Sequence, residues 1–535
     1  MNVPNTKNDV MKPLAFHPFL FSAYAVAALF ANNMDGTEPV STIRVLVAVW
    51  LLTSLIFLVF KFITSDPRKA ALSTTVIVLF LFSYGHLYNL LKKLPLLTLI
   101  IRHRYFLPAL ICLVGYILWR LVKINGRKLA PLTLYLNAVS LFLMAMPVFT
   151  IGRYFLASYP KASPSVEAAG NFTSSPDQPD IYYIILDAYG REDILRDVDQ
   201  IDNSSFIEAL KQRGFYVASQ SESNYMQTVL SLSSSLNMDY LQDLGYDSTS
   251  SLSRSSLPRL YHTDLVENRV RQVLAEKGYQ FVAFETGYVT SIRRADIYFE
   301  PGPDDMVTGQ GILQLNSFET LFLDTTVVQA WFDLQQKSGQ SALQAPYLEH
   351  RSRILYTFKT LAEIPKMDGA HFVFAHVIVP HPPFVFGRDG EIITNTRVFT
   401  LQDAQHYSPD EYTDKYSAQL QYTNKMVLST LDTILRESKV PPIIIIQGDH
   451  GPGAHLDWNS VEKSNLPERF GILNAYYFPD QDYSRIPADI TPVNSFRVVL
   501  DQYFDADLPL LPNRNYFSTW KHPFDFIEVT DRLHE

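Results

Sequence analysis

The six residues Gln447-Gly448-Asp449-His450-Gly451-Pro452 set a carboxylate and an imidazole side by side between glycines. Asp and His together are a ligand set suited to zinc or manganese. The run before them, Ile443-Ile444-Ile445-Ile446, is wholly apolar and β-branched, which predicts a buried, parallel strand. The pair therefore falls at a strand's C-terminal end, where open α/β sheets bind their ligands. The glycines let backbone and ligand approach closely. Taken alone, the same residues also suit a tight strand-to-turn corner with no chemistry.

Two more strand ends supply what one pair lacks. Ile181-Tyr182-Tyr183-Ile184-Ile185-Leu186 reads as another buried strand and ends in Asp187. A strand over His371 to Val379 contains His376 and is followed by Pro380-His381-Pro382. In a parallel sheet these ends share one edge, so residues distant in sequence can meet there. Each also has a plain reading: Asp187 as a cap for the next helix, His381 as a loop histidine held between prolines. For a nucleophile, the stretch to search is Asn224 to Leu236, where Thr228 opens an apolar, Ser-rich helix. A hydroxyl there would lie against unpaired N–H groups that favour phosphate or sulfate. Thr228 could instead be an ordinary N-cap, and Ser231 and Ser233 to Ser235 offer other hydroxyls.

The elements that would carry these residues alternate. Helices are predicted near 204–213, 264–277, 348–363 and 409–437. Strands are predicted at Gly214 to Ala218, Phe281 to Phe284 and Ile472 to Phe478, besides the three above. Strands separated by helices imply a mostly parallel sheet flanked by helices over 181–535.

Composition divides the chain. Residues 1 to 160 carry 15 Lys and Arg against 4 Asp and Glu, a net +11, and the remainder carries 30 against 50, a net −20. An acidic domain of that size argues against nucleic acid as a partner, since phosphate backbones attract basic surfaces. The one cysteine, Cys112, lies in an apolar segment, so the chain can form no intrachain disulfide and no Cys-rich zinc module. Segments near 17–34, 43–63, 70–91, 104–122 and 130–152 approach the length that crosses about 30 Å of hydrocarbon. They predict a polytopic α-helical membrane domain over 1–157, followed by a Ser-, Pro- and Ala-rich linker over 158–180. Lys61, Arg68, Lys69, Arg120, Lys123, Arg127 and Lys128 fit cytoplasmic loops, which with five spans places the later domain outside the cytoplasm. The basic loop 92–104 departs from this rule, and its apolar stretch Leu94 to Ile101 suits the membrane interface. Asn171-Phe172-Thr173 fits a glycosylation acceptor.

Asp187 after a strand, Thr228 at a helix start and a late Asp449-His450-Gly451 resemble the alkaline phosphatase/sulfatase superfamily. With five spans in front, the chain resembles its membrane-bound branch, which includes lipoteichoic acid synthases and phosphoethanolamine transferases. That resemblance implies one divalent metal ion, zinc or manganese, held by Asp187, Thr228, Asp449 and His450. It implies Thr228 as nucleophile through a phosphothreonine intermediate, and His381, or else His376, on the substrate's anionic group. The expected function is a phospho-headgroup transferase with a membrane lipid as donor and a lipid or glycan as acceptor. The alternatives are a phosphodiesterase using water, or a non-catalytic membrane assembly protein on a degenerate hydrolase fold. The chain departs from the sulfatases, which make formylglycine in a Cys/Ser-x-Pro-x-Arg motif, because Ser256-Leu257-Pro258-Arg259 has the wrong spacing. It departs from the phosphoethanolamine transferases in lacking disulfides and in the position of its next histidine, His455.

Overall fold

A computed structural model describes residues 14–34, 37, 39–92, 94, 101–158, 178–246, 257, 260, 264–288, 290–306, 315–335, 344–395, 399–401 and 407–534. The linker beyond 158, the Asn171 acceptor, most of Leu94 to Ile101 and most of Ser256 to Arg259 lie outside these residues.

The chain forms two compact units. The first holds five N-terminal helices: α1 His17–Asn32, α2 Pro39–Thr64, α3 Pro67–Lys92, α4 His103–Lys123 and α5 Ala130–Ser158. Four of them, α2 to α5, are long and apolar enough to cross a membrane. Helix α1, with 16 residues, is the shortest of the five and reaches about 24 Å. Among the described exposed large apolar side chains, all but Trp331, Ile392, Leu510 and Ile527 precede residue 157. Apolar surface so concentrated is what hydrocarbon, rather than water, accommodates.

Helix α1 starts inside the bundle, where its free N–H groups need partners. Its own N-cap side chain makes no such bond. Asn137 of α5 does so instead: Oδ1 accepts from Phe16 N at 3.2 Å and His17 N at 3.1 Å, while Nδ2 donates to the Leu14 carbonyl. The His17 ring lies 2.6 Å from the Thr75 hydroxyl on α3.

The same unit includes two short helices from far down the chain, Ser317–Asp324 and Gln329–Gln335. The first opens with a capping box between Asn316 and Glu319, and Glu319 also pairs with Arg44. Phe318 and Phe322 join the apolar cluster of Phe21, Phe30 and Phe82. Gly85 permits the approach, because its N–H donates to the Thr325 carbonyl and a Cβ there would meet Asp324 O at 2.3 Å. Asp333 reaches His103 at 2.7 Å. Residues 311–343 thus belong to the first unit, although they lie within the 181–535 stretch expected to form one later domain.

The second unit is built on a seven-stranded sheet. Its strands are β1 Ile181–Leu186, β2 Tyr216–Val217, β3 Gln280–Phe284, β4 Ile297–Phe299, β5 His371–Val377, β6 Ile443–Gln447 and β7 Asn474–Tyr477. They lie in the order β2-β7-β6-β1-β5-β3-β4. Strands β6, β1, β5, β3 and β4 run parallel, and β7 is antiparallel to both of its neighbours. Alternate residues of each strand point to opposite faces. Ile181, Tyr183 and Ile185 join one apolar cluster, and Tyr182, Ile184 and Leu186 join the other. The first face is covered by α6 Thr228–Asn237 and by Pro492–Phe504; the second is covered by Ser204–Gln212, Gln344–Leu361 and Pro409–Glu437. With both faces covered, the central strands must be apolar throughout, as their sequences are.

Candidate metal centre

The register of the central strands brings three chain segments to one edge. Ile185 pairs with His376 on one side and with Gln447 on the other, so Asp187 and Asp449-His450 emerge together from neighbouring strands. Asp187 N donates to Val377 O and His381 N donates to Asp187 O, each at 3.0 Å, which ties the third segment to the first. All of the sequence-selected residues meet here.

His450 Nε2 lies 3.1 Å from Thr228 Oγ1, 3.3 Å from Asp449 Oδ2 and 3.5 Å from Asp187 Oδ1. Its Nδ1 faces the Gly451 carbonyl at 3.0 Å. A proton on Nδ1, donated to that carbonyl, leaves Nε2 with its lone pair toward the two carboxylates and the hydroxyl. That is the orientation of a ligating imidazole with a backbone partner behind it. Asp187 Oδ1 and Asp449 Oδ2 are buried and accept no hydrogen bond. Buried carboxylate oxygens are seldom left so. Two orphaned oxygens converging with an imidazole nitrogen and a hydroxyl fit a divalent cation, and the O/N donor set suits zinc or manganese.

Charge in the site is uneven. Burial pushes the Asp187 carboxyl up, but His381, His376 and His450 together more than offset this and hold it well below the usual range. Asp449 is pushed up to about 7, by burial first and by the neighbouring Asp187 next. Two carboxylates sharing one buried place behave this way, since the second charge is costly beside the first. Burial also pulls the His450 and His381 imidazoles below their ordinary value, against the opposing pull of Asp187.

The plain readings fail for two residues. Thr228 is the first residue of α6 and not its cap; the cap position belongs to Gln227, whose amide turns away to Ser518 and Thr519. Asp187 caps no helix, because the next one, Glu192–Asp197, has Arg191 at its cap position. His376 and His381 stand differently. His376 is buried and its Nε2 sits 3.0 Å from Asp187 Oδ2, so it orients that carboxylate. His381 is only part-buried, with its ring centroid 6.1 Å from that of His450.

Three residues that hold the site had no signal in the sequence. Arg469, from the short helix Leu466–Phe470, is buried, with Nε and Nη2 donating to Met226 O at 2.9 and 2.6 Å and Nη1 to Gly451 O at 3.1 Å. One guanidinium thus fastens the loop leading to Thr228 and the carbonyl behind His450. Gln419 donates to the carbonyls of Pro380 and His381 at 3.2 and 3.0 Å and accepts from Val385 N, which fixes the His381 loop. The Tyr416 hydroxyl donates to Ala188 O at 2.8 Å, and Ala188 N donates to Asp449 Oδ1 at 3.1 Å. Ala188 has φ 62°, a left-handed conformation that a non-glycine residue adopts at a cost, here at the turn that aims Asp187.

The glycines flanking the Asp-His pair serve close backbone approach. A Cβ on Gly451 would meet Glu468 O at 2.0 Å and Gly471 O at 2.8 Å. Gly451→Ala should therefore force main chain apart and destabilise the second unit by about 3 kcal/mol, the upper end of ordinary overpacking. Thermal unfolding of the variant beside the parent measures this, and an unchanged melting temperature would contradict the close approach.

No protein-family model matches the sequence, and no curated protein matches it. Solved structures do resemble it. The integral membrane lipooligosaccharide phosphoethanolamine transferase A of Neisseria meningitidis is 12% identical with a TM-score of 0.38, over 90% of this chain and 94% of that one. The C-terminal periplasmic domain of EptC from Escherichia coli, in complex with zinc, is 10% identical with a TM-score of 0.39, over 67% of this chain and 95% of that one. A 2-O GAG sulfatase is 14% identical with a TM-score of 0.36, over 64% and 73%.

Proposed function

We propose that this chain is a membrane-anchored, divalent-metal-dependent enzyme that transfers a phospho-headgroup from a lipid donor to a lipid or glycan acceptor. The observation that carries this reading is the convergence of Thr228 Oγ1, His450 Nε2 and the two orphaned oxygens of Asp187 and Asp449 at the end of the parallel strands. Those four residues would hold the cation, zinc or manganese, which when bound supplies positive charge for a phosphoryl group and eases the ionisation of a hydroxyl.

The residues' own work follows from their positions. Thr228 Oγ1 attacks phosphorus, an O–P bond forms, and the donor's lipid alcohol leaves with a proton. The acceptor hydroxyl then attacks the phosphothreonine, the Thr228 Oγ–P bond breaks, and the hydroxyl is restored. Thr228 heads α6, whose first N–H groups favour the charge on the transferring oxygens. His381, part-buried at the mouth of the site, contacts the substrate's anionic group; His376 keeps Asp187 in place. Arg469 and Gln419 hold the two loops so that the attack geometry is set before substrate arrives.

Incubating the purified protein with phosphatidylethanolamine vesicles tests this reading. Mass spectrometry should find a phosphoethanolamine adduct on Thr228, and Asp449→Ala and His450→Ala should lose both the adduct and the metal of this centre. Full metal occupancy in both variants would sink the assignment. With an adduct formed, release to water in the presence of acceptor lipid would make the enzyme a phosphodiesterase instead of a transferase.

The reading also places the soluble unit outside the cytoplasm. A short α1 that is nevertheless built into the bundle through Asn137 and Thr75 supports five membrane segments. A reporter active only in the cytoplasm, fused after residue 535, should stay silent. A strong signal would mean an even number of crossings, with α1 lying within one leaflet.

A further inference from the structure

A second group of metal-type ligands lies outside the centre described above. Asp199, His455 and Glu468 each offer one ligand atom, and these atoms all lie within 4.8 Å of one another. Three separate segments contribute: the turn after the helix Glu192–Asp197, the loop after Gly453, and the first turn of the helix Leu466–Phe470. From these three side chains we infer a second divalent-cation site of the zinc class, distinct from the site of Asp187, Asp449 and His450.

Asp199 is the independent observation. It is 5% exposed, and neither of its carboxylate oxygens has a hydrogen-bond partner. Among the described residues no Lys or Arg lies within ion-pair distance of it. A carboxylate taken out of water with neither hydrogen bond nor counter-charge is costly, and native structures seldom leave one so. Protonation does not remove the difficulty, because a buried carboxylic acid still needs a partner for its hydroxyl.

The other two ligands are held in place around it. Glu468 Oε1 accepts from Ala454 N at 2.8 Å and Oε2 from His455 N at 3.0 Å, while Asn465 caps its helix by accepting from Glu468 N. His455 O accepts from Asn465 N, so the His455 backbone is fixed on both sides. His455 Nδ1 lies 3.1 Å from Glu468 Oε2, close to the separation of about 3.3 Å expected for two ligands on one tetrahedral zinc. The His455 side chain is 41% exposed, which leaves a path for the ion and room for water to complete its coordination. Two carboxylates and one imidazole suit zinc or manganese better than calcium or copper.

The position gives the site a consequence. Glu468 precedes Arg469, the residue that grips Met226 and Gly451. A cation on Glu468 ties that helix to the turn bearing Asp199 and so stiffens the support of the first centre, without touching its ligands.

Zinc stoichiometry tests the proposal. Full-length protein in detergent is stripped with chelator, equilibrated with zinc, passed over a metal-free column and analysed for metal. The parent should retain two zinc ions per chain, and Asp199→Asn and His455→Gln should each retain one. Asp449→Asn should also retain one, and the double variant Asp199→Asn/Asp449→Asn none. The His455 variant guards against misfolding, since that side chain is half-exposed. Metal-free Asp199→Asn should melt no lower than the metal-free parent, because it removes a buried unpaired charge, and only the parent should gain the second increment in melting temperature on adding zinc. A parent that holds one zinc, or Asp199→Asn and His455→Gln variants that bind as much as the parent, overturns the second site. Either outcome leaves the transferase reading to its own test on Thr228.

Discussion

Thr228→Ala should abolish turnover, by about 10⁴-fold or more, while the protein stays folded. Deleting a nucleophile removes the covalent route altogether, and losses of that order or larger accompany such deletions. The structural cost is small. Thr228 begins a helix whose cap is Gln227, so alanine at the next position removes one hydroxyl and no cap. The lost hydrogen bond to His450 is worth about 1 kcal/mol. The neighbouring serines are poor substitutes: Ser234 donates to Asp239 O, Ser235 is bonded to Tyr183, and Ser231 and Ser233 are buried with no partner. Ser231→Ala should therefore be much milder. Thr228→Ser should keep a measurable rate, because it retains the hydroxyl. Near-normal turnover by Thr228→Ala would replace this mechanism with direct attack by water or with another nucleophile.

Much of the sheet was legible because its strands are buried on both faces. Ile181 to Leu186 and Ile443 to Gln447 form over the stretches that the apolar runs mark, and the 409–437 helix matches its pattern end to end. Asp187 and Asp449-His450 follow directly, since in a parallel sheet the ends of neighbouring strands are neighbours in space. The direction of β7 was not legible. Its apolar residues fit a parallel or an antiparallel strand equally, and only its pairing with β6 and β2 in the folded sheet shows which. The strand Ile297–Phe299 was missed because three residues at a sheet edge carry too short a pattern to detect.

The support of the site was hidden for a different reason. Arg469, Gln419 and Tyr416 act through hydrogen bonds to main-chain carbonyls, and a carbonyl has no sequence signature. Nothing near Gln419 announces that its amide will meet Pro380 and His381. The helices at 317–335 were overlooked likewise, because their apolar residues read as ordinary core until Phe318 and Phe322 are seen against Phe21 and Phe82. Conversely, the departure at His455 was visible in the sequence, but its partners Asp199 and Glu468 were not, being brought together only by the turn after the helix Glu192–Asp197.

Arg469→Lys should fail nearly as badly as Arg469→Met, with turnover down about 100-fold in both, the loss that a misplacement of about 1 Å can bring. Shape matters here as well as charge. A guanidinium presents a rigid fork, and here its Nε and Nη2 converge on Met226 O while Nη1 reaches Gly451 O. A lysine ammonium keeps the charge but can hold only one of these loops at a time. Two segments then lose their common anchor, one leading into Thr228 and the other carrying the carbonyl that orients the His450 ring. Leaving those buried carbonyls short of donors should also cost about 3 kcal/mol in stability. Because the change acts through position and touches no substrate, kcat should fall with KM nearly unmoved, and affinity for the catalytic metal should weaken. If Arg469→Lys keeps both kcat and metal affinity, charge alone accounts for the residue and the two loops do not depend on its fork.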